Sequence, residues 1–271
     1  MRPAPRPEPD ARRRAEGLML GASAGASAAW SLRQHRSSEC LNPQAVLVHA
    51  AQSCLKHRRF VANDLISRLR SDDTGLHGQD RGSLRSMEVS MPKASQTFIV
   101  AVAPVCLRTM GRSRSAQRDL HSLGLAFQQT PADVEALEVT GRFIGRALLG
   151  YGRRIVFEPI TWIGGDDCVA WAAGGGSLPK ECRGSLASAI AQARAVSLRE
   201  SRWPVAARAL KAARAEPSAF VLAGMLLGAM YGPRSFSPLP PNARALAALA
   251  EGLLQSSPID MASLSGRSRS R

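Results

Sequence analysis

Two stretches decide the fold: Gly17-Leu18-Met19-Leu20-Gly21-Ala22-Ser23-Ala24-Gly25-Ala26 near the start, and Ala223-Gly224-Met225-Leu226-Leu227-Gly228-Ala229-Met230-Tyr231-Gly232 near the end. Gly17, Gly21 and Gly25 recur every four residues, as do Gly224 and Gly228. In an α-helix that spacing stacks them on one face, where the missing side chains let a second backbone come close. Each glycine costs a helix about 1 kcal/mol relative to alanine, so close packing must offset the loss. On their own the stripes predict packing, not chemistry.

Outward from these stretches the pattern stays helical. The first runs over 11–30. After Pro43, placed where a missing N–H costs little, Ala45 to Leu55 forms a second. Phe60, Val61, Leu65, Ile66 and Leu69 recur at helical spacing. Residues 71–93 read as loop. A helix over Ala94–Leu107 is expected despite Pro104. Asp133 opens a run in which Val134, Leu137, Gly141, Ile144 and Leu148 mark one face. Residues 152–180 are irregular, with Ile155, Phe157 and Ile160 forming either a short strand or a buried loop. Helices resume over 184–198, 204–215 and 217–230, and a last one follows Pro240-Pro241 to about Leu254. The expected architecture is all-α, an orthogonal multi-helix bundle over residues 11–255. Residues 1–10, with proline at 3, 5, 7 and 9, read as a disordered lead, and 256–271 as a disordered basic Ser/Arg tail.

The chain has 271 residues, 45% of them hydrophobic but only 5% aromatic, so its core is built from Ala, Leu and Val. That length needs no metal or disulfide to bury a core. No stretch reaches the roughly 18 apolar residues of a membrane span. The five cysteines, Cys40, Cys54, Cys106, Cys168 and Cys182, are scattered without a C-x-x-C pair. This excludes a zinc ribbon, makes a disulfide framework unexpected, and leaves a reduced, cytoplasmic chain as the default. Arg12–Arg14 and the mildly apolar run to Trp30 have the outline of a signal peptide, but the run is Gly- and Ser-rich and reads better as the first helix.

The net charge is +15. Residues 1–14 carry five Arg against two acids, and 257–271 three Arg against one Asp, which leaves +10 on the body. Such a surface suits an anionic protein or nucleic acid, although the aromatic platforms of single-strand binders are missing.

In their order along the chain these segments resemble the ADP-ribosylglycohydrolase family, the fold of the dinitrogenase reductase-activating glycohydrolase. Its first helix reads like Gly-x-Leu-Leu-Gly-x-Ala-x-Gly-Asp-Ala, here Gly17 to Ala26. Its second is matched by Val46 to Leu55, with Ala51-Gln52-Ser53-Cys54-Leu55. A segment like Ala-x-Arg-x-Ala-Pro-x-x-Leu is echoed by Ile99 to Leu107. A late helix like Ala-Gly-Ala-Leu-Leu-Gly-Ala-Tyr-Tyr-Gly is nearly reproduced by Ala223–Gly232, followed by Leu239-Pro240-Pro241. The resemblance spans roughly residues 11–255.

That resemblance implies an activity whose ligands this sequence does not repeat. Family members hold a pair of Mg²⁺ ions with a Thr-Asp-Asp-Thr motif ahead of the second helix and an Asp-x-Asp-Thr motif ahead of the late glycine-rich helix. Hard divalent ions need charged oxygen ligands. The first motif falls here on Leu41-Asn42-Pro43-Gln44 and the second on Ala215-Glu216-Pro217-Ser218, and the first helix's aspartate is replaced by Ala26. The expected cleft is therefore lined by Ala26, Leu41, Asn42, Gln44 and Glu216, with no metal and no catalytic residue. The leading reading is a degenerate member that binds ADP-ribose, a related nucleotide or a protein. The alternative is an active Mg²⁺-dependent hydrolase removing ADP-ribose from proteins, with carboxylates from Asp166, Asp167 and Glu216. A third reading is a basic nucleic-acid-associated module.

Other constellations carry less. Asp72-Asp73-Thr74 and Gly164-Gly165-Asp166-Asp167 read as turns. Gly174-Gly175-Gly176-Ser177 lacks the lysine of a phosphate loop and reads as a connector. His35, His49, His57, His77 and His121 have no metal spacing, and no cysteine or serine sits in a nucleophile motif.

Overall fold

The computed structural model describes residues 10–31, 42–71, 96–163, 165–176 and 179–257. Within them lie α1 (Ala11–Ser31), α2 (Pro43–His57), α3 (Ala62–Ser71), α4 (Val102–Arg108), α5 (Ser113–Ala126) and α6 (Pro131–Leu148). There follow α7 (Arg153–Val156), α8 (Asp167–Gly174), α9 (Leu186–Arg199), α10 (Trp203–Ala212), α11 (Pro217–Tyr231) and α12 (Ala243–Gln255). Short 3₁₀ turns occupy Gln96–Ala101, Lys180–Cys182 and Pro233–Ser235, and no strand occurs among the described residues. The architecture is all-α. The loop at 71–93 and both expected tails fall almost wholly outside the described residues, but Asp10 does not: its carboxylate accepts the Arg13 N–H at 2.8 Å and starts α1.

The two glycine stripes pack against each other. A Cβ on Gly21 would collide with the Gly224 carbonyl, one on Gly17 with Gly228 O, and one on Gly25 with the backbone of Phe220 and Val221. Conversely, Cβ atoms on Gly224 and Gly228 would strike Gly21 O and Gly17 O. The helices run antiparallel with backbones in direct contact, a geometry in which Cα–H···O contacts add to dispersion. α11 is apolar on every face, and Ser218 to Met230 are all buried, so it forms the axis of the molecule. α1, α6, α9 and α10 pack round it, and α12 and α2 lie against the outer side of α1.

Local sequence explains most helix starts. Asn42, Thr130, Asp166 and Ser185 cap α2, α6, α8 and α9 with side-chain oxygens. The single helix expected over 94–107 is instead a 3₁₀ turn feeding α4. Pro104 falls in the first turn of α4, where its missing N–H has no helical carbonyl to lose. The described part of 152–180 forms no strand: it holds α7 and α8, which the sequence did not announce, joined by a loop that tucks Phe157 and Ile160 inward. Val156, Phe157 and Ile160 are buried, Ile155 faces out, and Ile160 N–H donates to Ala173 O at 3.1 Å. Arg194, 7% exposed, binds this loop from α9 by donating to the carbonyls of Ala172, Ala173 and Phe157.

Two findings depart from the sequence reading. α5 was not expected; its buried apolar residues are only Leu120 and Leu123, among Ser, Arg, Gln and His. Cys168 and Cys182 form a disulfide across 14 residues, tying α8 to the turn before α9. A bridge was unexpected because nothing in the spacing shows that the chain doubles back there. Cys54 and Cys106 are free and buried.

Gly224→Ala should destabilise the protein by about 3 kcal/mol or more, because both facing atoms are backbone and neither can move aside. In thermal denaturation this is a Tm drop of roughly 6–12 °C. Gly145→Ala in α6, whose Cβ would meet nothing within 4 Å, should leave Tm unchanged or raise it. Equal effects at the two positions would refute the backbone seam. Reducing the Cys168–Cys182 bond releases the unfolded chain from a loop closed across 14 residues and should cost about 3 kcal/mol, measured by denaturant unfolding with and without reductant.

Candidate functional site

The glycine face of α1 is fixed on α11, so residues two positions off that face, about 200° round the helix, point the opposite way. Ser23 and Ser27 are those residues, and they meet the amino ends of α2 and α12. Gln44, in the first turn of α2, donates its Nε2 to the Ser23 carbonyl at 3.1 Å and to Ser27 Oγ at 3.4 Å. Its Oε1 accepts Asn242 Nδ2 at 3.1 Å. Ser23 Oγ, buried at 1% exposure, donates to Asn242 Oδ1 at 3.3 Å. Asn42 Oδ1 accepts the Gln44 N–H at 2.9 Å as the cap of α2. The result is a closed neutral ring of amides and hydroxyls joining three helices.

Of the residues expected in the cleft, Asn42 and Gln44 belong to this cluster, and Ala26 is buried one turn along α1. Leu41 lies outside the described residues. Glu216 sits apart, at the start of α11, where its N–H is taken by Gln192 Oε1 at 2.8 Å. Continued one turn, the glycine register places Glu216 at the level of Ala29. Asp166 caps α8, its Oδ1 accepting the Val169 N–H at 3.0 Å, and Asp167 is the first residue of that helix. α8 packs on α9 and α6. Among the described residues, no three His, Cys, Asp or Glu side chains gather where a metal could bind, so Asp166, Asp167 and Glu216 do not converge. Asp72-Asp73-Thr74 lies outside the described residues.

A Mg²⁺ pair does not fit the donors present. The amide oxygens of Asn42 and Gln44 are neutral and already hydrogen-bonded, and neutral oxygens cannot offset the dehydration of Mg²⁺. Nor do the free cysteines among the described residues supply a nucleophile. Burial pushes the Cys106 thiol up to about 12, and burial with the nearby Asp119 charge raises Cys54 as well, so both stay protonated at neutral pH. His57 pairs with Asp64 at 3.2 Å, in the same ion-pair group as Lys56 and Arg68, and His49 meets Gln52 at 3.2 Å. Gly175, at φ 79°, is the left-handed end of α8. The glycine run is a helix stop there, not a phosphate cradle.

Ser23, Ser27 and Asn242 were not singled out in the sequence. Asn242 follows Pro240-Pro241 at a helix start, a position that ordinarily reads as a cap; its role comes from Gln44, 198 residues away.

No family model matches the chain, and no curated protein matches it by sequence. A solved structure described as an ADP-ribosylglycohydrolase-related protein complex is similar to it, with a TM-score of 0.71. The match covers 92% of this chain and 99% of that one at 18% identity. The chain therefore has the ADP-ribosylglycohydrolase-like fold. At that identity the likeness speaks for the fold alone.

Asn242→Ala would leave Gln44 Oε1 without its donor and Ser23 Oγ without its acceptor, at an expected cost of about 1–2 kcal/mol. Combined with Gln44→Ala in a double-mutant cycle, it should show a coupling above about 0.5 kcal/mol. Purely additive losses in urea unfolding would mean the ring is not a unit.

Proposed function

We propose that this chain is a catalytically degenerate form of the ADP-ribosylglycohydrolase-like fold, acting as a ligand- or protein-binding helical domain. The observation that carries this reading is Gln44. It closes the segment Leu41-Asn42-Pro43-Gln44, on which the resemblance implies the Thr-Asp-Asp-Thr motif, so Asn42 and Pro43 stand where the metal-binding carboxylates are implied. Both ends of the Gln44 amide are engaged within the protein, by Ser23, Ser27 and Asn242. The cluster cross-links three helices, and the ligand this reading places beside it is ADP-ribose or a related nucleotide, held without metal. The Cys168–Cys182 bond favours an oxidising compartment over the cytoplasm as the setting. No described helix is long and apolar enough to cross a membrane.

Calorimetric titration with ADP-ribose tests the reading, run once with Mg²⁺ and once with EDTA. Binding that is the same in both buffers, with no release of ADP-ribose from modified protein above background, is the expected result. Binding abolished by EDTA would overturn it and support the metal-dependent hydrolase.

A further inference from the structure

A different set of charges gathers at the other end of α2, about 20 Å from the Gln44 cluster along a 15-residue helix. α2 closes on Arg58, held in the left-handed region at φ 55°. α4, packed against α2, ends on Arg108. The chain then turns through Thr109-Met110-Gly111, with the Arg112 N–H donating to Thr109 O at 2.9 Å, and enters α5. Arg112 stands at the N-cap position of α5; no side chain caps that end, and its first turn carries no acid. Its leading N–H groups therefore point outward with the positive end of the helix dipole behind them.

Arg108 distinguishes this turn from an ordinary exposed helix start. It is 8% exposed, and its Nε is sealed from solvent with no hydrogen-bond partner. Buried guanidinium groups elsewhere in the molecule are matched to carbonyls: Arg14 Nε donates to Leu148 O at 2.9 Å, and Arg194, whose Nε is also unpartnered, donates its Nη groups to the carbonyls described above. The acid beside Arg108 is already engaged, since Asp119 accepts the Phe60 N–H at 3.3 Å and Arg118 Nε at 3.2 Å. Burial, and then the like charges of Arg112 and Arg58, hold the Arg108 pKa below the ordinary arginine value, while Cys54 and Asp119 pull it the other way. Guanidinium groups that repel one another beside an uncapped helix start lack one thing, an anion with several acceptor oxygens.

We propose that the turn from Arg108 to Arg112, with Arg58 across from it, binds a phosphate dianion, either free or as the 5′-phosphate of a nucleotide. The N–H groups opening α5 and the Arg112 and Arg58 side chains take the outer oxygens. Arg108 supplies the buried charge behind them. A tetrahedral dianion satisfies several donors at once, as a single carboxylate cannot. The site is separate from the Gln44 cluster and does not depend on the function proposed for it.

The test is calorimetric titration of the full chain with inorganic phosphate, and then with AMP, at constant ionic strength. One saturable site is expected, weakened about tenfold or more by Arg112→Ala and weakened also by Arg58→Ala. Arg208→Ala, an exposed arginine of α10, should leave it unchanged. AMP binding more tightly than phosphate would assign the nucleotide source, and equal affinities the free ion; both support the site. Two results would overturn it: no saturable heat with either probe, or an equal loss in Arg112→Ala and Arg208→Ala. These variants alter exposed or half-buried side chains, so the buried Arg108 need not be touched.

Discussion

The direct backbone contact between α1 and α11 is the constraint on which the other packing depends. Five glycines, Gly17, Gly21, Gly25, Gly224 and Gly228, are the only side-chain choice that lets these helices meet, since a methyl group at any of them lands on backbone atoms. The contact fixes the rotation of α1 about its axis and its register along α11. Both have consequences one helix away. Rotation sends Ser23 and Ser27 to the opposite side, where α2 and α12 arrive. Register sets how far down α1 the start of α11 lies, and thus where Glu216 stands relative to Ala26. The candidate site is in this sense a by-product of the glycine seam: its position is inherited from packing, and only its chemistry is free to change.

The neutral chemistry of this cluster has a physical logic. A cluster of carboxylates without metal would be a concentrated negative charge in a partly buried place, costly through both desolvation and mutual repulsion. Asn42, Gln44 and Ala26 carry no charge and avoid that cost. The cluster instead closes on itself, because an amide is both donor and acceptor. Gln44 uses both halves of its amide in this way, and Asn242 supplies the complement.

What the sequence made legible follows from how local each signal is. Glycine spacing, Pro43, Pro131 and the apolar periodicity from Val134 to Leu148 are statements about one helix at a time, and the structure keeps them within a few residues. The absence of acids at Ala26, Asn42 and Pro43 could be read because a resemblance supplied the register. Three features were not readable for the same underlying reason. The partner of Gln44 lies 198 residues away, the Cys168–Cys182 bond needs a reversal of the chain that the Gly-rich connector does not announce, and the two glycine stripes give no hint that they face each other. α5 was missed for another cause. It rests on α6 through few apolar side chains, and its arginines and serines read as loop when taken without that partner.

The arginines show why net charge is a poor guide to what this surface does. A charge of +15 suggests a uniform attraction for anions, yet the residues divide into distinct populations. Arg14 and Arg194 are internal fasteners: they gather the carbonyls that a helix end and an irregular loop would otherwise bury without donors, and they contribute order rather than field. Arg12 and Arg68 are neutralised by Glu251 and Asp64 at 2.9 and 2.6 Å. Charge that is matched within the protein cannot steer a ligand, however large the total. What remains to act on a partner is the unmatched fraction. The turn after α4 stands out within it, because there a buried arginine lacks an acceptor while exposed arginines and an open helix end sit beside it.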